Sequence, residues 1–166
     1  MKRLEIIPLK VNRILVFGVA WLCILLSGCD TDTLVDVNLT MPSRNWTYVN
    51  KVKAVVVVAD HNQPLDIYFN LRHTNDYRYS NIFVLLHING AGQKESTIRY
   101  QFKLAQPDGK WNGAGSGNIF GYTFRLLTDY KFPINGKYEL EVEQNMRDNP
   151  LREISDAGIT VLKQGK

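Results

Sequence analysis

The chain has 166 residues with 20 basic and 16 acidic side chains, a formal charge of +4 and a sequence pI of about 9.1. Lys2, Arg3, Lys10 and Arg13 stand against the single acid Glu5 in the first 28 residues, so residues 29–166 keep 16 basic and 15 acidic side chains and are close to neutral. That remainder offers no charge basis for a nucleic-acid partner, and its length suits one domain with a core of its own.

In chain order, a basic flank leads into the uncharged run Ile14 to Leu26. This fits the apolar core of a secretion signal and is shorter than the roughly 20 residues of a membrane-spanning helix. Leu26-Ser27-Gly28-Cys29 follows, a large aliphatic residue, two small residues and a cysteine, which is the pattern of the bacterial lipobox. Small residues admit the signal peptidase to the backbone, and the thiol takes a diacylglyceryl group as a thioether. Leu26, Ser27 and Gly28 are therefore expected to be the peptidase recognition residues, and Cys29 the lipid-bearing first residue of the mature chain. Cys23 lies in the signal, so Cys29 is the one thiol left and intrachain disulfides are excluded. The domain plan is a cleaved signal over 1–28, an acylated N-terminus and polar tether over 29–45, and a folded domain over 46–166.

From Val49 the hydropathy alternates with period two. Val55 to Val58 is a continuous β-branched run, which predicts a strand buried on both faces. His61-Asn62-Gln63-Pro64 reads as a turn. Leu65, Ile67, Phe69 and Leu71 then alternate with polar residues as a half-buried strand. Thr74-Asn75-Asp76 supplies turn chemistry, Ile82 to Ile88 is a strongly apolar strand, and Asn89-Gly90 is a hairpin signal. Ile98, Tyr100, Phe102 and Leu104 share the face of the next strand. Pro107-Asp108-Gly109 is a turn, and Gly113 to Asn118 reads as a flexible glycine-rich connector. Residues 119–131 form a weaker strand, Asn135-Gly136 is a second hairpin signal, and Tyr138, Leu140 and Val142 alternate with Glu139, Glu141 and Glu143. Arg147 to Ser155 reads as a polar loop, and Ile159 to Leu162 closes the chain. Seven or eight strands with turns between them and no helical period predict an all-β fold, a single antiparallel β-sandwich of immunoglobulin-like or jelly-roll type.

The chemistry in this frame is sparse. His61, His73 and His87 show no metal-ligand spacing, Ser116 lacks the G-x-S-x-G elbow, and the three glutamates lie on one strand face, where a solvated surface is expected rather than a glycosidase pair. Neither a catalytic residue nor a metal site is assigned, and no cofactor is expected beyond the covalent lipid on Cys29. Tyr77, Tyr79, Trp111, Phe120 and Tyr122 fall in or beside loops. There they either plug the end of the sandwich or stack on a ligand or partner.

Several segments together resemble the gliding-motility lipoprotein GldH family of Bacteroidota. They are Asn70-Leu71-Arg72-His73-Thr74-Asn75-Asp76-Tyr77, Ser80-Asn81-Ile82-Phe83, Ala105 to Gly115 around Trp111, Phe132 to Tyr138, Glu143 to Arg147 and Ile154 to Ile159. They occur in the family's order. Ala157 and Asn112 depart from its usual Val and Leu, and the 147–155 loop is short. The resemblance implies an envelope lipoprotein needed for surface gliding, in a system coupled to type IX secretion, and it brings no catalytic residues.

The expected function is a non-enzymatic component of that machinery, held to the bilayer by its acyl chains and working through contacts with other envelope proteins. Arg72, Asn75, Asp76, Tyr77, Trp111 and Tyr122 are the candidate interaction residues. The alternative is a surface lipoprotein that binds glycans through loop aromatics, with Trp111 and Tyr122 as stacking rings. Asp30, Asp32 and Asp36 follow the cysteine closely. This disfavours outer-membrane transfer by the enterobacterial rule and resembles a surface-export tag by the Bacteroidota rule, and the outer membrane is the expected location.

Overall fold

The computed structural model describes residues 32–164. The signal segment, the lipobox and Cys29 lie outside the described residues. Eleven strands follow in chain order: β1 (Thr33–Thr40), β2 (Asn45–Trp46), β3 (Val52–Val58), β4 (Leu65–Thr74), β5 (Asn81–Gly90), β6 (Gln93–Lys103), β7 (Ala114–Ser116), β8 (Ile119–Tyr130), β9 (Gly136–Gln144), β10 (Leu151–Arg152) and β11 (Ile154–Lys163). A single 3-10 turn at Pro42–Arg44 is the only helical element among the described residues.

Two antiparallel sheets hold the long strands. One has the order β1-β11-β4-β8-β7 and the other β3-β9-β5-β6, while β2 and β10 form a small pair of their own. The pairings nest: β1 with β11, β3 with β9, β4 with β8 and β5 with β6. A chain folded into one long hairpin and then rolled up produces this order, which is the jelly roll rather than the immunoglobulin arrangement.

Alternation sends one face of each sheet inward. Leu65, Ile67, Phe69 and Leu71 of β4 meet Val84, Leu86, Tyr138, Leu140 and Val142 in one continuous core. Phe69 is its aromatic centre, with the rings of Trp46, Phe102 and Phe124 6.1–6.2 Å away.

Six expectations change. Residues 33–40 are not a tether, because β1 pairs with β11 along its length and the folded domain therefore starts near Thr33. The Val55–Val58 run is buried on one face only, with Val56 and Val58 inside and Val55 and Val57 exposed. β3 is an edge strand whose outer face no layer covers. The first hairpin turn is Ala91-Gly92 rather than Asn89-Gly90, since Gly90 still pairs with Gln93. Gly92 supplies the positive φ of +73° that the turn needs. Gly90 instead lies under the ring of Tyr138, where a Cβ would come within 2.4 Å of Cδ1. Asn135-Gly136 makes no hairpin, because it carries the chain from β8 in one sheet to β9 in the other. The glycine-rich 113–118 segment is an edge strand rather than a flexible connector, as Ala114–Ser116 pairs back on β8. Within the expected 147–155 loop, β10 pairs with β2.

Candidate interaction surface

The end of β4 gathers five of the six sequence-derived candidates. His73 is fully buried there. Its Nδ1 lies 2.7 Å from the Thr74 carbonyl oxygen and its Nε2 3.2 Å from the Tyr122 hydroxyl. A carbonyl accepts only, so Nδ1 carries the ring proton. Burial pushes the His73 pKa down, and the hydrogen bond to Thr74 offsets part of that fall. Around this ring stand Trp111 at 4.4 Å, Tyr77 at 5.0 Å and Tyr122 at 5.3 Å between centroids. Trp111 Nε1 donates to Asn75 Oδ1 at 3.0 Å, and the Tyr122 hydroxyl donates to the Leu104 carbonyl at 2.8 Å. The aromatics thus plug the sandwich end, Tyr122 stacked on His73 and Trp111 meeting it edge-on. They do not form the row of coplanar exposed rings that stacking on a sugar needs. Asp76 sits at the rim of the plug, exposed, with its amide on Thr74 Oγ1.

Arg72 points the other way, onto the outer face of the first sheet. Its Nε reaches both oxygens of Asp156 at 2.7 and 2.8 Å, and Asn38 donates to the same carboxylate. A second row, Asp36, Thr160, Asn70 and Thr123, is hydrogen-bonded from strand to strand across β1, β11, β4 and β8. All of these except Thr160 line a shallow cleft of about 580 Å³. Its polar side chains already satisfy one another, so it reads as a sheet-stabilising ladder.

The glutamate face of β9 is a correction to the solvated reading. Glu141 is nearly buried and lies opposite Lys53 on one side and His87 on the other. It is ion-paired with both Lys53 and Lys51, and Lys51 also reaches Glu143 at 2.9 Å. Burial alone would raise the Glu141 carboxyl, but the hydrogen bonds and charges of Lys53 and Lys51 win and hold it down at about 2. A group held below its ordinary value of 4.5 stabilises the fold fully above pH 4.5, and this is lost as the pH falls toward 2. Glu141→Gln is therefore expected to lower the thermal midpoint at neutral pH and to flatten its decline over that acid window. Parallel melting curves for the two proteins from neutral to pH 2 would remove Glu141 from the account.

Sequence reasoning missed the residues that converge only in three dimensions. Glu153 accepts from Thr74 at 2.6 Å and pairs with Arg44 at 3.1 Å. Asp156 anchors Arg72, and Arg78, Tyr79, Arg147 and Arg152 meet at the same end of the sandwich as the aromatic plug. No spacing signal joins residues about 70 positions apart.

A family model described as GldH lipoprotein matches residues 33–161, nearly the whole sandwich. The chain belongs to the GldH lipoprotein family. Among GldH relatives, the "Gliding motility lipoprotein GldH homolog" of Christiangramia forsetii is 28% identical over 155 residues, covering 89% of this chain and 94% of the relative. The "Gliding motility lipoprotein GldH" of Flavobacterium johnsoniae is 29% identical over 147 residues, covering 83% and 89%. The resemblance carried by the ordered segments from Asn70 to Ile159 is thereby borne out. Among solved structures, Eiger TNF from S. frugiperda aligns with a TM-score of 0.34 at 13% identity, covering 82% of this GldH chain and 88% of its own, a likeness too slight to bear on function.

Proposed function

We propose that this protein is an outer-membrane lipoprotein of the gliding machinery, anchored by acyl chains on Cys29 and acting without catalysis through contacts with other envelope proteins in a system coupled to type IX secretion. The observation that carries the reading is the family match across the sandwich, joined to relatives named for gliding motility. The state of the buried ionisable groups supports the non-enzymatic part. His73, Glu141 and Asp156 are each committed to a structural partner.

Chain length limits how far the start of the domain stands from its anchor in this reading. Cys29 and Thr33 are four residues apart, which extended chain spans in about 14 Å at most. A lipid on Cys29 therefore brings the bilayer to the end of the sandwich where β1 starts. The loops before β4 and between β5 and β6 are at that end. The aromatic plug lies at the other end of β4, about 30 Å along that strand at ~3.3 Å per residue.

Deleting the gene in a gliding, type IX-secreting host and complementing it with wild type tests the reading. Loss of cell spreading, of secreted cargo or of both, restored by complementation, is the expected result. Normal spreading and normal secretion in the deletion strain would overturn it.

A further inference from the structure

The described residues include seven arginines, and four are engaged. Arg44 pairs with Glu153, Arg72 with Asp156, Arg99 bonds Asn145 and lies over Phe83, and Arg125 bonds Tyr68. The guanidinium groups of the other three, Arg78, Arg147 and Arg152, have no hydrogen-bond or ion-pair partner among the described residues, and all three line one cleft of about 420 Å³. The acid in that cleft, Asp148, is held by the Tyr79 hydroxyl at 2.6 Å. A second cleft of about 340 Å³ adjoins it, sharing Arg78 and Tyr79 and ending at Trp111.

We propose that this double cleft is the docking site for an acidic segment of a partner envelope protein, with Arg78, Arg147 and Arg152 receiving its carboxylates and Tyr79 and Trp111 forming its aromatic floor. The proposal rests on the reading that the protein works through protein contacts. Three guanidinium groups without partners around one cleft give it a positive potential, and carboxylates answer that charge while matching the guanidinium fork in two hydrogen bonds. Arginine, tyrosine and tryptophan are the residues that dominate protein interfaces.

The cleft is also built in advance. Buried Gln144 donates to the Asp148 carbonyl at 3.0 Å and accepts from the Met146 amide at 2.8 Å. The Tyr48 hydroxyl donates to the Met146 carbonyl at 2.7 Å, and the Tyr48 amide to Asn149 Oδ1 at 3.1 Å. A loop held this way loses little freedom when a partner binds. The cleft lies at the end of the sandwich away from β1's start. A protein segment supplies carboxylates for the arginines together with apolar side chains for Tyr79 and Trp111.

The test is photo-crosslinking in intact cells of the full-length, lipidated chain. A benzoylphenylalanine replaces Gln106 in the second cleft or, as a control, exposed Lys94 at the opposite end. The expected result is an adduct at position 106 that peptide mapping places in an acidic segment of one envelope protein. Its yield should fall about tenfold or more in the Arg78→Glu, Arg147→Glu, Arg152→Glu variant. If that variant fails to fold, Arg147→Glu alone is used, with the wild-type melting midpoint as the criterion of folding. An adduct insensitive to charge reversal, one mapped to a neutral segment or to glycan, or protein adducts at Lys94 only would overturn the cleft assignment. The protein-contact reading itself would then stand or fall on the Lys94 adduct. No protein adduct at either position would overturn both.

Discussion

Phe69→Ala will cost the domain about 3–5 kcal/mol, a large share of the roughly 5–15 kcal/mol that keeps a domain of this size folded. Phe69 is fully buried at the midpoint of β4, where the chain is paired on both sides, to β11 and to β8. Its ring touches three others, Trp46 from the small β2–β10 pair, Phe102 from the second sheet and Phe124 from β8. Removing it opens a cavity that three rigid rings cannot collapse into, so the lost burial is joined by a cavity term. Phe69→Leu keeps most of the volume and is expected to cost well under half as much. Denaturant unfolding of the mature chain measures both. Equal, small losses for Ala and Leu would show that the aromatic stack is not the centre of the core.

The second large effect falls on the anchor. Cys29→Ala removes the thioether, and with it every acyl chain that the lipobox reading places on the mature protein. Each buried CH₂ contributes about 0.8 kcal/mol, so two or three chains hold a protein stably where one is marginal. The expected result is the loss of lipid labelling and a shift of the protein from the membrane to the soluble fraction, with the fold intact because Cys29 lies four residues before β1. Spreading should fail as in the deletion strain. Continued acylation of the variant would sink the lipobox assignment. Full spreading by an unlipidated, stably folded protein would show that the anchor is not needed for motility.

The sequence by itself determined the period-two strands, the all-β class and most of the turns, because those follow from local alternation and from turn residues such as Pro107-Asp108-Gly109. It also determined the family, through ordered segments that keep their spacing. Only the fold gathers Asn75, Asp76, Tyr77, Trp111 and Tyr122 at the end of β4 and turns Arg72 to the outer face of the sheet. Tertiary structure alone decided what depends on partners far along the chain. The pairing of β1 with β11 made a strand of residues 33–40, whose alternation of Val35, Val37 and Leu39 with Asp36 and Asn38 is too short to mark a strand without its partner. The uncovered outer face of β3 exposed Val55 and Val57, because the same β-branched run is buried on one face or both according to how many layers cover it. The nested pairing that makes the sandwich a jelly roll leaves no local trace, and neither do the two lysines that hold Glu141 ionised. The three unpaired arginines were equally invisible. Arg78 and Arg147 lie 69 positions apart in the chain, and only the closing of the rolled hairpin brings them to one cleft.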